Sequence, residues 1–448
     1  MKKSKRKEAQ LALAQHFLSQ YQPAPTHPLL ERDRAAAREY LQERGLPIYR
    51  EEDYQYFKID EWLSKEWQLS SAPCLTEAEA KAYACRLTYP DVVQAYLIGG
   101  KVASSAEGQG YFAGSITEFA SKYPEVAERY YNQMPSTKEA RLTQLNSLYN
   151  EDLFVYYIPE GVHLPSPLHL IHYPSSSKDL GQTLTFPRIL VIAEAESEAT
   201  LLFCDHGNHE EATGYIGAIE IYVDRGAKFS YFNIEESSTH SLRVMETHIQ
   251  QAEDSIVIVD NVTVQNGATR NNFFCDLVGE RASIDLDGLG VLDDAKRLDN
   301  WCFIRHSSPN CHSDQLFKYT MNDTSIGSFC GRIYVAPDAQ KTEAYQNNRN
   351  LLLSEQAKMF SKPQLEIYAD DVQCSHGSTV GQLNDAALFY MEQRGIDKRE
   401  AKLLLEFAFV NEVIDKMELI PLRDRLHHLV EKRFRGELDK CECCRLCR

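Results

Sequence analysis

The sequence predicts a mainly β protein, in which an elongated parallel β-helix is flanked by helical regions at both ends. The chain has 448 residues, which is too long for one ordinary hydrophobic core, so two or three structural units are expected. Between residues 153 and 385, Val, Ile, Phe, Tyr and Thr dominate, and segments with helical periodicity disappear. Similar strand-and-turn units recur there about every 28 residues, a period typical of one solenoid coil.

Residues 1–150 are predicted to form a mostly helical N-terminal domain. Apolar residues recur at steps of three and four from Leu11 to Tyr21, and an Ala-, Glu- and Arg-rich segment then ends at Gly45. Further patterns predict helices over 76–86 and 115–129, the second broken at Pro124, and a short strand over 92–98. A solvated amphipathic domain explains these patterns, and we assign no chemistry to them.

Residues 151–382 are predicted to form the β-helix. A small residue leads into an alternating strand in the four segments 199–203, 227–231, 255–259 and 282–286. Such a repeat is typical of coils that bury a continuous core only when they stack. The alternative is an antiparallel sandwich, whose strands recur every 8 to 12 residues or so and are joined by hairpins. Candidate hairpin turns are scarce, at Asn266-Gly267 and Asp287-Gly288, so the repeat favours the β-helix.

The stretch over 363–381 reads P-Q-L-E-I-Y-A-D-D-V-Q-C-S-H-G-S-T-V-G and has the densest set of metal-ligating side chains. Its first half alternates apolar and polar residues, which predicts a strand, and a segment closed by two glycines follows. Two carboxylates, a thiol and an imidazole then lie within seven positions, at Asp370, Asp371, Cys374 and His376. This set suits iron or zinc. The alternative is a turn with a capping Asp pair and a small buried Cys.

Residues 383–436 are predicted to form a small helical C-terminal domain of helices interrupted at Gly395. The second helix is apolar around more than one stripe, and Phe407 and Val410 lie off its main apolar face. A surface helix needs one such stripe, so the excess must contact a second neighbour. That neighbour is either the rest of its own domain or another protein.

Residues 437–448 form a Cys-rich tail that ends in C-E-C-C-R-L-C. Four thiols in so few positions could hold zinc or iron, and the adjacent arginines would lower the thiol pKa values. The tail lacks a second, separated pair of ligands, however, so one short segment would have to wrap the metal alone. The four thiols belong to Cys441, Cys443, Cys444 and Cys447.

Charge and motifs exclude several classes of protein. The net charge of −17 disfavours nucleic acid or an anionic membrane as partner. The basic start over 1–7 is followed by no adequate apolar run, which predicts a cytoplasmic protein with mostly reduced cysteines. A phosphate-binding loop, a G-x-S-x-G elbow and an H-E-x-x-H helix are all missing from the sequence, which predicts a protein that is not an enzyme.

One enzyme class remains as an alternative, a β-helix enzyme acting on polysaccharide. That chemistry needs paired carboxylates along a groove, for which Asp370-Asp371 and Asp293-Asp294 are the candidates. Adjacent residues on a strand point to opposite faces, and such enzymes are generally exported. Both points disfavour this alternative.

Three segments of the second half resemble the SufD proteins of the SUF iron–sulfur cluster assembly system, within the SufB/SufD family. They are H-S-D-Q-L-F-K-Y-T-M-N-D-T-S-I-G-S-F-C-G over 312–331, Q-K-T-E-A-Y-Q-N-N-R-N-L-L-L-S over 340–354, and the stretch over 363–381 with its continuation Q-L. The first third matches only faintly, through R-E-E-D-Y-Q-Y-F-K-I-D-E-W over 50–62. The resemblance implies a right-handed parallel β-helix and a scaffold that pairs with a SufB-like paralogue and binds a SufC-like ATPase.

The resemblance also implies roles for single residues. The C-S-H-G motif places the family's interface histidine at His376, with Cys374 beside it, where iron or a nascent iron–sulfur cluster would be held at the interface with the paralogue. The ATPase would dock on the C-terminal helices, for which Phe407 and Val410 are the candidates. A homodimer and a reduced flavin in the assembled complex are further possibilities that the sequence leaves open.

Two departures from the SufB pattern indicate which family branch the chain resembles. Where SufB has a cluster-building cysteine, this chain has N-N-R-N over 347–350, and where SufB has a glutamate after the histidine, it has Gly377. These replacements favour an accessory subunit over the subunit that carries the cluster.

Overall fold

Two long sheets, stacked coil upon coil, form the centre of the molecule. The computed structural model describes residues 3–69, 75–83, 92–108, 110–174, 182–206 and 212–437. The strands are β1 Gln68–Leu69, β2 Val93–Ile98, β3 Lys101–Val102, β4 Ala106–Gly108, β5 Tyr111–Ser115, β6 Phe154–Ile158, β7 Leu168–Tyr173, β8 Thr183–Thr185, β9 Arg188–Ala193, β10 Glu198–His206, β11 Thr213–Val223, β12 Lys228–Glu236, β13 Leu242–Gln251, β14 Ile256–Gln265, β15 Ala268–Leu277, β16 Ser283–Leu292, β17 Arg297–His306, β18 His312–Met321, β19 Ile326–Val335, β20 Glu343–Leu352, β21 Lys358–Ile367 and β22 Gln373–Gly381.

The helices lie before and after the β-helix and flank its two sheets. They are α1 Lys3–Gln20, α2 Pro28–Arg44, α3 Ile59–Leu63, α4 Glu77–Tyr83, α5 Ile116–Lys122, α6 Pro124–Tyr130, α7 Pro135–Glu139, α8 Arg141–Tyr149, α9 Asp385–Gln393, α10 Lys398–Ile414 and α11 Ile420–Arg435, with a single 3-10 turn over Glu52–Tyr54. The predicted break at Pro124 is confirmed, because that residue begins α6. The Cys-rich tail lies outside the described residues.

From β9 onward, successive strands alternate between the two sheets, and each strand pairs with the strand two places along the chain. Sheet A has the order β21-β19-β17-β15-β13-β11-β9-β6-β5-β4, and sheet B has the order β22-β20-β18-β16-β14-β12-β10-β7-β2-β3. Every described pairing among β6 to β22 is parallel. The predicted parallel β-helix is therefore confirmed, and the antiparallel sandwich is wrong.

The repeat read from the sequence corresponds to sheet B. Ala199, Phe229, Val257 and Ile284 are consecutive partners across four strands, and all four are buried in the interior of the β-helix. Each such Val, Ile or Phe contributes about 1.5–3 kcal/mol by leaving water, and only stacking achieves that burial. Asn266-Gly267 links β14 to β15 in the opposite sheet, so it is not a hairpin.

Helices cover both outer faces of the β-helix. Side chains of α1, α2 and α8, such as Leu145, pack with Leu242 and Val244 on the outer face of sheet A. Side chains of α10 and α11, such as Leu426, pack with Phe232 on the outer face of sheet B. The middle strands are consequently buried on both faces, which is the pattern of parallel sheets.

The two ends of the β-helix differ. At the first end, the sheets continue into residues before 150, where β2 pairs with β7 and β5 pairs antiparallel with β6. The outermost strands there, β3 and β4, have two and three residues. At the other end, β21 and β22 are long, and each has one neighbour in its sheet. We call β21, β22 and the turn between them, residues 358–381, the terminal coil.

Candidate functional site

The terminal coil presents two free strand edges. β21 pairs with β19 and β22 pairs with β20, and in the described ranges no further strand pairs with their other sides. Most residues of β22 are exposed, and the apolar side chains of Ile367, Tyr368 and Val380 are accessible to solvent. Free edges and exposed apolar side chains are the features of a surface that another chain can cover.

His376 lies in the middle of β22, where its backbone partner is Gln346 of β20. The prediction that it follows the strand in a glycine-closed turn is therefore wrong. The turn comes earlier, between the end of β21 at Ile367 and the start of β22 at Gln373. The physical reason is that each coil needs one strand in each sheet, so the segment after the turn extends sheet B.

The pairing register shows which way His376 points. Partners in a parallel pair share a face of the sheet, and Gln346 is fully buried inside the β-helix. The hydroxyl of Ser378, two residues after His376, donates to Ser361 of the facing strand at 2.7 Å, across the interior. His376 therefore lies over the open end of the β-helix interior, and it is exposed because none of the described strands stacks on it.

Cys374 lies on the same side of β22 as His376, beside the buried Ala344. It is half-buried, and burial raises the pKa of its thiol. A protonated thiol is a poor metal ligand, so Cys374 needs a metal or a partner charge to deprotonate it.

The two aspartates of the predicted ligand set lie in the turn between β21 and β22. Asp370 and Asp371 are exposed in the link between the strands, where the backbone N–H of Asp371 donates to Gln340 at 2.9 Å. Within the described ranges, no three His, Cys, Asp or Glu side chains come together in a way that could hold a metal ion. Among the described residues, the terminal coil therefore does not by itself bring together enough ligands for a metal ion.

The column of inward residues that ends at His376 changes from apolar to polar in the last coils. At the position of His376, the preceding inward residues are Val259, Leu286, Gln315 and Gln346. The amide of Gln346 donates to Gln315 at 3.3 Å. Neutral amides therefore lie behind His376 in this column of residues, whereas apolar side chains such as Ile333 and Val335 pack near Cys374.

The segment N-N-R-N divides between the two faces of β20. Asn348 and Asn350 are buried inward, and the amide of Asn350 donates to Asn348 at 2.7 Å. Arg349 points outward and pairs with Glu412 of α10 at 2.9 Å. The departure seen in the sequence thus contributes both to the polar interior and to the docking of the C-terminal helices.

Val410 is not available to a partner. It is 0 % exposed and packs in the interface between α10, α11 and sheet B, so its prediction as a docking residue is wrong. The second apolar stripe of α10 faces the β-helix, which the sequence cannot reveal. Phe407 is half-buried with its ring 5.3 Å from that of Phe434.

The exposed apolar residues of the C-terminal helices lie elsewhere. Phe389, at 62 % exposed, and Tyr390 lie on α9, Leu404 lies on α10, and Ile420 lies at the start of α11. The sequence signal is the run Leu388-Phe389-Tyr390, because three consecutive helical residues span about 200°, which is wider than one apolar stripe, and Leu388 takes the buried side.

The described residues form a parallel β-helix that is covered by helices along its sides and has an uncovered coil at one end. Residues 12–170 match the family described as "SufBD protein N-terminal region", and residues 175–409 match "SUF system FeS cluster assembly, SufBD core domain". The chain belongs to the SufBD family, and membership supports a role in SUF iron–sulfur cluster assembly.

Named relatives agree with this assignment. A SufBD family iron–sulfur cluster assembly protein of Synechocystis is 27 % identical over 90 % of this chain and 91 % of its own length. The iron–sulfur cluster assembly protein SufD of Escherichia coli is 26 % identical over 89 % of this chain and 93 % of its own. The chloroplastic protein ABCI7 of Arabidopsis thaliana is 26 % identical over 94 % and 90 %. In the part of the chain that the structure describes, no helix is long and apolar enough to cross a membrane.

Proposed function

We propose that the chain is a non-catalytic, accessory scaffold subunit of the SUF assembly complex, which pairs with a SufB-like paralogue through its terminal coil. The carrying observation is the pair of free edges on β21 and β22, next to the exposed Ile367 and Val380. Strand edges offer backbone hydrogen bonds to a second β-helix, and the apolar side chains offer burial. A homodimer would use the same surface.

His376 is the proposed contribution of this chain to iron capture. A neutral imidazole suits iron, and its place at the open end lets a partner supply the remaining ligands as thiolate or carboxylate. Cys374 contributes less, because burial keeps its thiol protonated. Iron and the nascent cluster are cargo here, and Gly377 beside the histidine supplies no ligand of its own.

A SufC-like ATPase is the proposed second partner, on the patch formed by Phe389, Tyr390 and Leu404. These side chains are exposed although α9 and α10 are packed on their other faces. Phe407 lies half-buried nearby on α10 and is secondary in this role. A reduced flavin in the complex and a cytoplasmic place of action belong to the same proposal and rest on the family resemblance and on the sequence.

Pairing through the terminal coil predicts a clear mutational result. The double variant Ile367→Asp/Val380→Asp is expected to lose co-purification with the paralogue, because two carboxylates would be buried without partners at the interface. Pull-down from cells that express both chains measures this. The matched control Ile256→Asp alters an equally exposed apolar residue in the middle of sheet B and should retain the paralogue. Equal retention by both variants would sink the pairing proposal.

Docking of the ATPase predicts a separate loss. Phe389→Asp/Tyr390→Asp should abolish capture of the ATPase and leave the melting temperature of the isolated chain within about 1–2 °C, because both side chains are already solvated. Val410→Asp should instead lower the melting temperature strongly, since it places a charge in the packed interface. If the α9 variant binds the ATPase as well as the unaltered chain does, the patch has another purpose.

A further inference from the structure

A cavity of about 420 Å³ lies on the outer face of sheet A, away from the interior that His376 overlies. Its floor is formed by outward residues of β15, β17 and β19, and its roof by Asp53, Tyr54 and the segment from Met134 to Arg141. The volume lies within the range of about 300–1,000 Å³ usual for small-molecule sites. Asp53 and Tyr54, which belong to the segment over 50–62, thus cover part of the cavity.

Aromatic rings form one wall of this cavity. The rings of Phe274 and Trp301 lie 5.1 Å apart, and those of Trp301 and Phe303 lie 6.2 Å apart. All three are outward residues on neighbouring strands, so they make an extended apolar surface. Such a surface suits a flat ring, and stacking of a nucleobase on an aromatic side chain is worth about 1–3 kcal/mol.

Three residues that line the cavity, Arg270, Asn272 and Arg332, each have a buried polar atom without a hydrogen-bond partner. Arg270 is 1 % exposed; its Nη1 bonds Asp299, and its Nε has no partner. Asn272 is 2 % exposed; its amide nitrogen bonds Glu246, and its Oδ1 has no partner. Each unsatisfied group costs about 1–3 kcal/mol, but neither Arg270 Nε nor Asn272 Oδ1 is open to the cavity, because both are covered by neighbouring atoms and the ring of Tyr54 lies 3.9 Å from the guanidinium carbon of Arg270.

Cations lie at the more exposed side of the cavity. Arg305 has a side chain that is 47 % exposed and lies 3.9 Å from Asp276, a distance too long for a firm ion pair. Arg332 pairs with Glu366 at 2.7 Å, yet its Nε has no partner. Two guanidinium groups with spare donors suit a phosphate.

The carboxyl groups that line the cavity do not offset the preference of the two arginines for a phosphate. Glu246 accepts hydrogen bonds from Thr143 and Asn272, and burial raises its pKa. Asp276 accepts a hydrogen bond from the hydroxyl of Ser307 at 2.6 Å, and burial raises its pKa too. Asp53 and Glu139 are exposed at the rim, so water screens their charges.

We propose that this cavity binds a mononucleotide, with its base against Trp301 and Phe274 and its phosphate at Arg305 and Arg332. The aromatic wall and the two arginines are independent features that one ligand class satisfies together.

The test is calorimetric titration of the full chain with AMP, GMP, CMP and UMP, and with the nucleosides and inorganic phosphate as partial probes. At least one mononucleotide should bind with a Kd below about 1 mM and quench the fluorescence of Trp301. Its nucleoside should bind more weakly, and phosphate alone should not bind measurably. Absence of binding by all four nucleotides, or phosphate binding as well as a nucleotide, would overturn the proposal.

Two variants locate the site. Arg305→Gln/Arg332→Gln should weaken nucleotide binding at least about tenfold and leave nucleoside binding unchanged. Ala140→Phe, which fills the cavity from its roof, should abolish both. Arg297→Gln is the matched control, because Arg297 lies on the same face of β17 but does not line the cavity. Nucleotide binding that is unaltered in both test variants would place the ligand elsewhere and refute the assignment.

Discussion

Replacement of His376 by alanine is expected to remove most of the iron or cluster bound by the assembled complex, without loss of assembly. The imidazole is exposed at the open end of the β-helix, where it makes no hydrogen bond within the described part of the chain that the alanine would break. Its loss therefore costs little folding free energy, while a metal site with one ligand fewer binds its metal far more weakly. Iron per intact complex, measured anaerobically, is the readout.

Two controls separate a ligand from a structural residue. Cys374→Ser should have a smaller effect, because burial disfavours the thiolate. His312→Ala removes a half-exposed histidine of the outer face of sheet B and should leave the iron content unchanged. If the His376 variant assembles poorly but carries the same iron per complex, the histidine stabilises the interface and the metal proposal fails.

Replacement of Arg243 by alanine is expected to lower the free energy of unfolding by about 3–5 kcal/mol, the usual cost of breaking a buried ion pair from one side. Arg243 is buried inside the β-helix, with Nε 2.7 Å from Asp205 and Nη2 2.8 Å from the side-chain oxygen of Asn233. The variant leaves the Asp205 carboxylate without its cation. Urea-induced unfolding measures the loss.

An exposed pair is the matched control for Arg243. Arg225→Ala breaks the solvent-exposed contact with Glu196, and it should cost less than about 1 kcal/mol. Addition of Asp205→Asn to Arg243→Ala should recover part of the lost stability, because it removes the uncompensated charge. Equal losses of unfolding free energy in Arg243→Ala and Arg225→Ala would show that the buried ion pair stabilises the fold no more than the exposed one.

The same pair gives the chain a pH dependence with a defined sign. Burial opposes ionisation of Asp205, but the charge of Arg243 and the hydrogen bond of His172 together lower its pKa to about 2. A carboxyl whose pKa is lowered by folding stabilises the fold above its unfolded pKa of about 4, and that stability is lost as the pH falls to about 2. The stability difference between the unaltered chain and Arg243→Ala should therefore shrink between pH 4 and pH 2.

The β-helix was predictable because its coils share one inward pattern. Ala199, Val257 and Ile284 occupy equivalent inward positions, and such a column repeats in the sequence at the coil period. β22 was not predictable as a strand for the converse reason. With no coil above it, the segment from Gln373 to Gly381 has no fully covered face, and the apolar alternation that marks a strand is missing.

The candidate site was predictable in its residue types and not in its geometry. His376 and Cys374 stood out by chemistry, but their shared inward direction follows from pairing with Gln346 and Ala344, which lie some 30 residues earlier. Val410 was predicted as a docking residue because α10 has apolar residues on more than one side. The sequence does not show that the side with Val410 packs within this chain. The cavity beside Trp301 is covered by Asp53, Tyr54 and the segment from Met134 to Arg141, which lie more than 100 residues earlier in the chain. No local sequence pattern therefore predicts it.

The unequal ends of the β-helix limit the size of any assembly built on it. One end finishes in the short antiparallel strands β3 and β4, which offer almost no edge for further pairing, whereas the other finishes in the long β21 and β22. A β-helix that can pair through one end only cannot form a polymer, because a single junction covers the free strand edges of both partners. Native mass measurement should accordingly find complexes with two β-helices and no ladder of longer species.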